Sequence, residues 1–282
     1  MIPSSVKAGE YNWLRRFIKS NKKIHSFFYK LLRCNRTVFI LRSFWRNTNI
    51  LFGSVVIETI SICNRKCSFC PLTYDATPGE VMTNEIFNKI ITELKELNFK
   101  GKICLSCYGE PILDKKLIER VEKIKKELNS FITINTNGDF LTYKKFKELV
   151  SAGIDVFCLS QHDKEPSEQI KLLFSNIKED ELKHIIFQTV TENSITLTNR
   201  GGSVPTKTLH PFFCAPMLLI IRADGAIPIC CNDYYKEINF GNIKEEKLLD
   251  IWNKPFYKKV RNEIKKGIFN FEICKKCLGL NS

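Results

Sequence analysis

Three cysteines stand close enough together to hold one metal centre: Cys63-Asn-Arg-Lys-Cys67-Ser-Phe-Cys70, with three residues and then two between them. A loop of this spacing wraps its thiolates round one face of a cubane. Iron–sulfur cubanes are usually held by four thiolates, so three leave one iron open to an outside ligand. The alternative is a zinc loop with its fourth ligand elsewhere. A second set lies toward the C-terminus: Cys214, Cys230 or Cys231, and the pair Cys274-Lys-Lys-Cys277. Adjacent residues of a strand point to opposite faces, so one of Cys230 and Cys231 is not a ligand. Four cysteines also make a structural zinc site, which is the plainer alternative here. Cys104 and Cys107 resemble another metal pair. Three apart within a strand, however, they face opposite ways, and both, like Cys158, read as small buried residues. A Cys107 that faces inward is a thiol able to give up a hydrogen atom.

Groups so far apart in sequence need a scaffold to bring them together. Residues 55–60 are β-branched and apolar, a buried strand by type and length. Thr83 can cap a helix carrying Ile86, Phe87, Ile90, Ile91, Leu94 and Leu97 on one face, with Met82 and Phe87 at staple positions. Strands are expected at 102–108, 131–136, 154–160 and 184–191. Between them Asp114 caps a second helix, and Thr142 begins a third that Gly153 ends. Strand and helix alternate as in βα units, so the sheet should be parallel. Five or six strand candidates exclude a closed eight-stranded barrel. The fold class is therefore α/β, a partial (β/α)6 barrel, whose site lies beyond the C-terminal ends of its strands.

The polar segments fall at those ends. They are the Cys63–Cys67–Cys70 loop after strand one, Gly109-Glu110 after strand two, Asn135-Thr136-Asn137-Gly138 after strand three, and Ser160-Gln161-His162 after strand four. Beyond about residue 205 the rhythm stops. Residues 213–221 and 226–231 look like a hairpin around Asp224-Gly225, followed by short helices at 248–252 and 256–264. The expected division is a basic aromatic extension (1–52), a barrel core (53–205) and a small cysteine-bearing domain (206–282).

The first cysteine motif, with aromatic Phe69 before its last cysteine and its place just after strand one, resembles the signature of the radical S-adenosylmethionine (SAM) superfamily. The likeness runs over about residues 54–200. Gly109-Glu110-Pro111 resembles the family's glycine–glutamate segment, which implies that Gly109 and Glu110 bind the SAM amino group. Tyr108 stands where the commoner form has its first glycine. Asn137-Gly138 and Ser160 lie where members often contact the SAM carboxylate or ribose. The strand-five adenine motif has no clear match. Cys214, Gly225-x4-Cys230, Gly241-Asn242-Ile243 and the final Cys-x2-Cys resemble a truncated SPASM, or "twitch", domain. That likeness implies one auxiliary [4Fe–4S] cluster on Cys214, Cys230, Cys274 and Cys277, the glycine spacing favouring Cys230 over Cys231.

The resemblance also implies a chemistry. The open iron of the Cys63/Cys67/Cys70 [4Fe–4S] cluster chelates SAM. An electron from an external reductant, such as flavodoxin or ferredoxin, cleaves it, and a 5′-deoxyadenosyl radical takes a hydrogen atom from substrate. An auxiliary cluster offers an acceptor for a second electron, so the expected outcome is oxidation of a secondary alcohol on a sugar or cyclitol derivative. Peptide modification, and epimerisation or dehydration of a sugar, are the alternatives within the family. Arg200, in Asn199-Arg200-Gly201-Gly202, can bind a hydroxyl or phosphate oxygen of substrate or be a surface arginine before a flexible Gly-Gly. Gln188, if inward, is a second polar candidate.

Composition narrows the partners. The 282 residues are 44% hydrophobic and 26% charged, the balance of a globular protein. No apolar run reaches the length of a spanning helix, and no secretory cleavage pattern stands at the N-terminus. Twelve cysteines without an export signal point to metal rather than disulfides, in a cytoplasmic protein. The net charge is +14, and residues 1–50 hold +10 of it, with eleven Lys/Arg against one acid, Glu10. Nine aromatics are interleaved with them, a mixture suited to a membrane face. A helix packed on the barrel is the alternative. A non-enzymatic metal protein binding nucleic acid is the competing class. The catalytic region carries little of the excess charge, so nucleic acid is not the expected partner. An acidic small molecule, phosphorylated or lipid-linked, fits the basic surface.

Overall fold

A computed structural model describes residues 52–163, 165–190, 198–205, 214 and 218–280. Residues 1–51 of the basic extension, and with them the membrane-face reading of that segment, lie outside them. Six parallel strands form the core sheet: β1 (Ser54–Ile57), β2 (Lys102–Cys104), β3 (Phe131–Thr136), β4 (Val156–Gln161), β5 (Ile185–Thr189) and β6 (Leu218–Ile221). Their order is β5-β4-β3-β2-β1-β6, the wall of a partial barrel.

Helices α1 (Asn84–Glu96), α2 (Leu117–Leu128), α3 (Tyr143–Ala152) and α4 (Glu168–Asn176) follow β1, β2, β3 and β4 in turn. Thr83 and Thr142 cap α1 and α3, each hydroxyl accepting from the backbone N–H three residues on. Gly153 ends α3 with φ near 121°. The apolar stripe of α1, Ile86, Phe87, Ile90, Ile91 and Leu94, is buried against the sheet; burying each such side chain contributes about 1.5–3 kcal/mol.

Three sequence expectations need correction. The described part of the first expected hairpin arm, residues 218–221, does not pair with 226–231. Leu218–Ile221 instead pairs in parallel with β1, Val55 opposite Leu219, as the sixth barrel strand. Leu219, Ile220 and Ile221 are all buried, and a strand covered on both faces belongs inside a parallel sheet. The Asp224-Gly225 turn exists, with Gly225 at φ +87°, but it leads into β7 (Ala226–Pro228), which pairs antiparallel with β8 (Asn239–Asn242).

Asp114 is not the capping residue of α2, whose N-cap is Lys116 with no side-chain bond. Its carboxylate instead holds Arg120 at 2.9 Å, with both side chains almost fully buried. Finally, α4 has no counterpart in the sequence reading.

Three helices complete the C-terminal part: α5 (Leu248–Asn253), α6 (Pro255–Lys265) and α7 (Glu272–Leu278). Several contacts fasten them to the barrel, two of them in the core. Glu93 of α1 accepts from the Leu248 N–H at 2.5 Å in a buried setting, and the Phe52 ring meets Trp252 edge-on at 5.2 Å. Among the described residues no helix is long and apolar enough to cross a membrane.

Candidate metal and cofactor centre

The loop between β1 and α1 brings Cys63, Cys67 and Cys70 together. The Cys70 N–H donates to the Cys67 carbonyl at 2.9 Å, and the Arg65 N–H to Cys63 Sγ at 3.4 Å. Burial raises all three thiols above their ordinary range. Cys67 is pushed up to about 11 by burial and then by the charges of Cys70 and Cys63. Thiols that disfavour one another's ionised forms are suited to a cationic group that restores the thiolates. The donor set therefore fits an iron–sulfur group.

Arg65, inside this loop, went unremarked in the sequence. Its Nε and Nη2 grip Asp139 after β3, both at 2.6 Å, and its Nη1 reaches Asp163 after β4 at 2.8 Å. Asn64 Nδ2 adds a 2.7 Å bond to Asp139. Burial is the largest single influence on the Asp139 carboxyl and pushes it up, but the hydrogen bonds from Arg65 and Asn64 together with the Arg65 charge lower it. One guanidinium thus ties the cysteine loop to the ends of two further strands. Phe69 packs against His162, ring centroids 5.4 Å apart. Both line a cavity of about 230 Å³ with Arg65 and Cys67.

Glu110 and Asn137 meet at the same mouth. Glu110 is buried, and its carboxylate accepts from Thr136 Oγ1 at 2.7 Å, Ile112 N at 3.0 Å and Asn137 N at 2.9 Å. Burial prevails over these bonds and raises its pKa. Asn137 Nδ2 in turn donates to Asn64 Oδ1 at 2.9 Å and lies 3.9 Å from Cys63 Sγ. Gly109 is required here by close approach, since a Cβ would fall 2.1 Å from the Ile60 carbonyl oxygen.

The second set of thiols forms around α7, where Cys274 and Cys277 are both buried. Cys230 is raised well above its ordinary range by burial and then by Cys231, Cys214 and Cys277. Burial, then Cys277, lifts Cys274 to about 11. The charge of Cys231 is felt on both sides, at Cys230 and Cys277 of this set and at Cys107, Tyr108 and Arg200 toward the barrel. This set too fits a thiolate-ligated cluster.

Between the two sets lies a polar seam that the sequence did not disclose. Glu58 after β1 binds Arg222 after β6 at 2.6 Å, both buried. The Arg222 guanidinium lies over the Tyr108 and Tyr234 rings at 4.9 and 5.5 Å. Tyr108 donates its hydroxyl to the Cys231 carbonyl, and Tyr234 donates to Asp75 at 2.7 Å. Cys107 sits at this seam, its thiol kept protonated by burial and by Glu58. Arg200 is also there. Its Nη1 donates to Asn232 Oδ1 at 3.3 Å, and its buried Nε has no partner among the described residues. Gln188 on β5 stands apart from these groups and donates to Ser160 Oγ on β4 at 2.8 Å.

Known proteins bear on this arrangement. Residues 57–191 match the model of the radical SAM superfamily, and residues 214–278 match that of SPASM, an iron–sulfur cluster-binding domain. The chain is 28% identical over 236 residues to the S-adenosyl-L-methionine-dependent 2-deoxy-scyllo-inosamine dehydrogenase of Niallia circulans, a match covering 80% of this chain and 93% of that protein. The crystal structure of BtrN in complex with AdoMet and 2-DOIA is similar with a TM-score of 0.71 at 26% identity, covering 80% of this chain and 92% of that one. A structure of anSMEcpe with bound AdoMet shares the fold, with a TM-score of 0.57 at 11% identity, covering 79% and 84%.

Proposed function

Given that this chain is a radical SAM enzyme with a C-terminal SPASM domain, we propose that it is a dehydrogenase that oxidises a secondary alcohol of a cyclitol or sugar derivative. The observation that carries this reading is the likeness to a SAM-dependent cyclitol dehydrogenase, which spans 93% of that relative. When bound, the two [4Fe–4S] clusters and SAM supply the reducing electron, the hydrogen-abstracting deoxyadenosyl group and the second-electron acceptor.

The chain's own residues hold and orient. Cys63, Cys67 and Cys70 take the SAM-binding cluster, and Cys214, Cys230, Cys274 and Cys277 the auxiliary one. Gly109, Glu110, Asn137 and Ser160 line the SAM site beside Phe69. Glu110 already receives three hydrogen bonds, so its part is double: it offers negative charge to the SAM ammonium and holds the Asn137 loop against Cys63. Glu110→Gln replaces an acceptor oxygen with an NH2 group and removes the charge. SAM affinity should fall about 10-fold, the loss of one charge-assisted bond, with iron content kept. Equilibrium dialysis with radiolabelled SAM measures this, and an unchanged affinity contradicts the assignment.

Arg200 is the substrate anchor, its guanidinium matched to a hydroxyl or phosphate oxygen. Gln188 offers a second polar contact. A protonated Cys107 serves only if the reaction returns a hydrogen atom. The external reductant, and membrane-surface contact through residues 1–50, belong to the same proposal, the latter motivated by the +10 charge and nine aromatics of that segment. Formation of 5′-deoxyadenosine tests the substrate class. Under anaerobic reduction, 2-deoxy-scyllo-inosamine, phosphorylated sugars or lipid-linked sugars should accelerate it; acceleration by peptides alone points to a maturase instead.

A further inference from the structure

We infer that Asn232 sets the reduction potential of the auxiliary cluster, by donating a hydrogen bond to the sulfur of Cys277, and that Arg200 acts on that potential through it. The inference rests on the assignment of Cys277 as a cluster ligand. Asn232 is 5% exposed and follows directly on the Cys230-Cys231 pair. Its Nδ2 lies 3.2 Å from Cys277 Sγ in a buried contact, and its Oδ1 accepts from Arg200 Nη1 at 3.3 Å.

The direction of the amide is fixed by chemistry. A guanidinium can only donate and a thiolate can only accept, so the oxygen must face Arg200 and the NH2 must face the sulfur. The opposite orientation sets donor against donor and acceptor against acceptor. Polarisation by the guanidinium makes the amide a stronger donor.

Hydrogen bonds to cluster sulfurs are among the terms that set an iron–sulfur potential. A donor stabilises the more negative, reduced cluster and so raises the potential. The group that would receive an electron from substrate is thus made a better acceptor by the residue that joins it to the substrate anchor. Substrate drawn onto Arg200 changes the polarisation of the same amide.

The test uses the full chain carrying Cys63→Ala, Cys67→Ala and Cys70→Ala, so that only the auxiliary cluster is present. Its midpoint is read by EPR at controlled potentials. Asn232→Leu, which removes the donor, should lower the potential by at least about 59 mV, a tenfold shift in the one-electron ratio. Asn232→Asp, which adds a negative charge as well, should lower it further. Four irons must be retained in both.

A measurement without substitution stands beside these. In protein labelled with 15N at the asparagine amide, ENDOR of the reduced auxiliary cluster should show coupling to that nitrogen and to an exchangeable proton. Absence of coupling, or potentials within threefold of the parent ratio in both variants, overturns the inference alone. A parent that binds no second cluster overturns the ligand assignment with it.

Discussion

Anaerobically reconstituted protein should bind about eight irons per chain, and the Cys63→Ala, Cys67→Ala, Cys70→Ala variant about four, the sum and half-sum of two four-iron cubanes. The variant should lose all reductive SAM cleavage, because the remaining cluster, on the proposed ligands Cys214, Cys230, Cys274 and Cys277, has no open iron. The two sets are independent in structure, which is why half should survive. One rides on the β1–α1 loop, and the other is gathered from Cys214, Cys230 and α7. Cys231→Ala should keep full loading, because the Gly225-x4-Cys230 spacing assigns the ligand role to Cys230. Cys230→Ala should lose the auxiliary cluster. Stoichiometric zinc without iron in anaerobically purified protein would contradict both assignments.

Arg65→Ala should slow SAM cleavage without abolishing it, although Arg65 is not a ligand. It leaves Asp139 and Asp163 without their cation beside thiolates of the same sign. It also frees the cysteine loop from the ends of β3 and β4. The Arg65–Asp139 pair is bidentate and about four-fifths buried at both side chains, so it falls outside the class of exposed pairs worth little. Unpairing such groups costs about 1–3 kcal/mol, which is a fall in SAM cleavage of about 5- to 160-fold if it is felt at the cluster. The Asp163 arm is more than half exposed and should matter less. Adding Asp139→Asn to Arg65→Ala removes the stranded charge and should recover part of the rate. Iron content and 5′-deoxyadenosine formation under dithionite check this. Full iron with an unchanged rate would show the clamp to be incidental.

The contrast between these two predictions reflects what a sequence can carry. Cys63, Cys67 and Cys70 are legible because all three ligands sit in one short loop, where spacing alone states the geometry. The caps Thr83 and Thr142 are legible for the same reason, as each bonds three residues on. The partners of Arg65 lie 74 and 98 residues away, and only the folded sheet brings those loops alongside. The signal available was an arginine inside the cysteine loop and Asp139 directly after Asn137-Gly138.

Strand β6 was misread because Leu218–Ile221 is apolar at every position, a pattern that hairpin arms and buried parallel strands share, and its partner β1 is remote in sequence. Helix α4 was missed despite a usable signal. Ser167 caps it, and Ile170, Leu173 and Phe174 fall on one buried face. Asn232 had no local signal, since nothing in Cys-Cys-Asn tells an amide that bonds a sulfur from one that bonds water.

Two-electron oxidation of an alcohol is read most directly from the mass of the product. In an anaerobic assay run in deuterated water, one SAM should be consumed per product. The product should be two mass units lighter than substrate, with no solvent deuterium at carbon. A product that instead carries one solvent-derived deuterium at carbon, and is otherwise unchanged in mass, would mean that a hydrogen atom was returned. The reaction would then be an epimerisation, with Cys107 the first donor to examine.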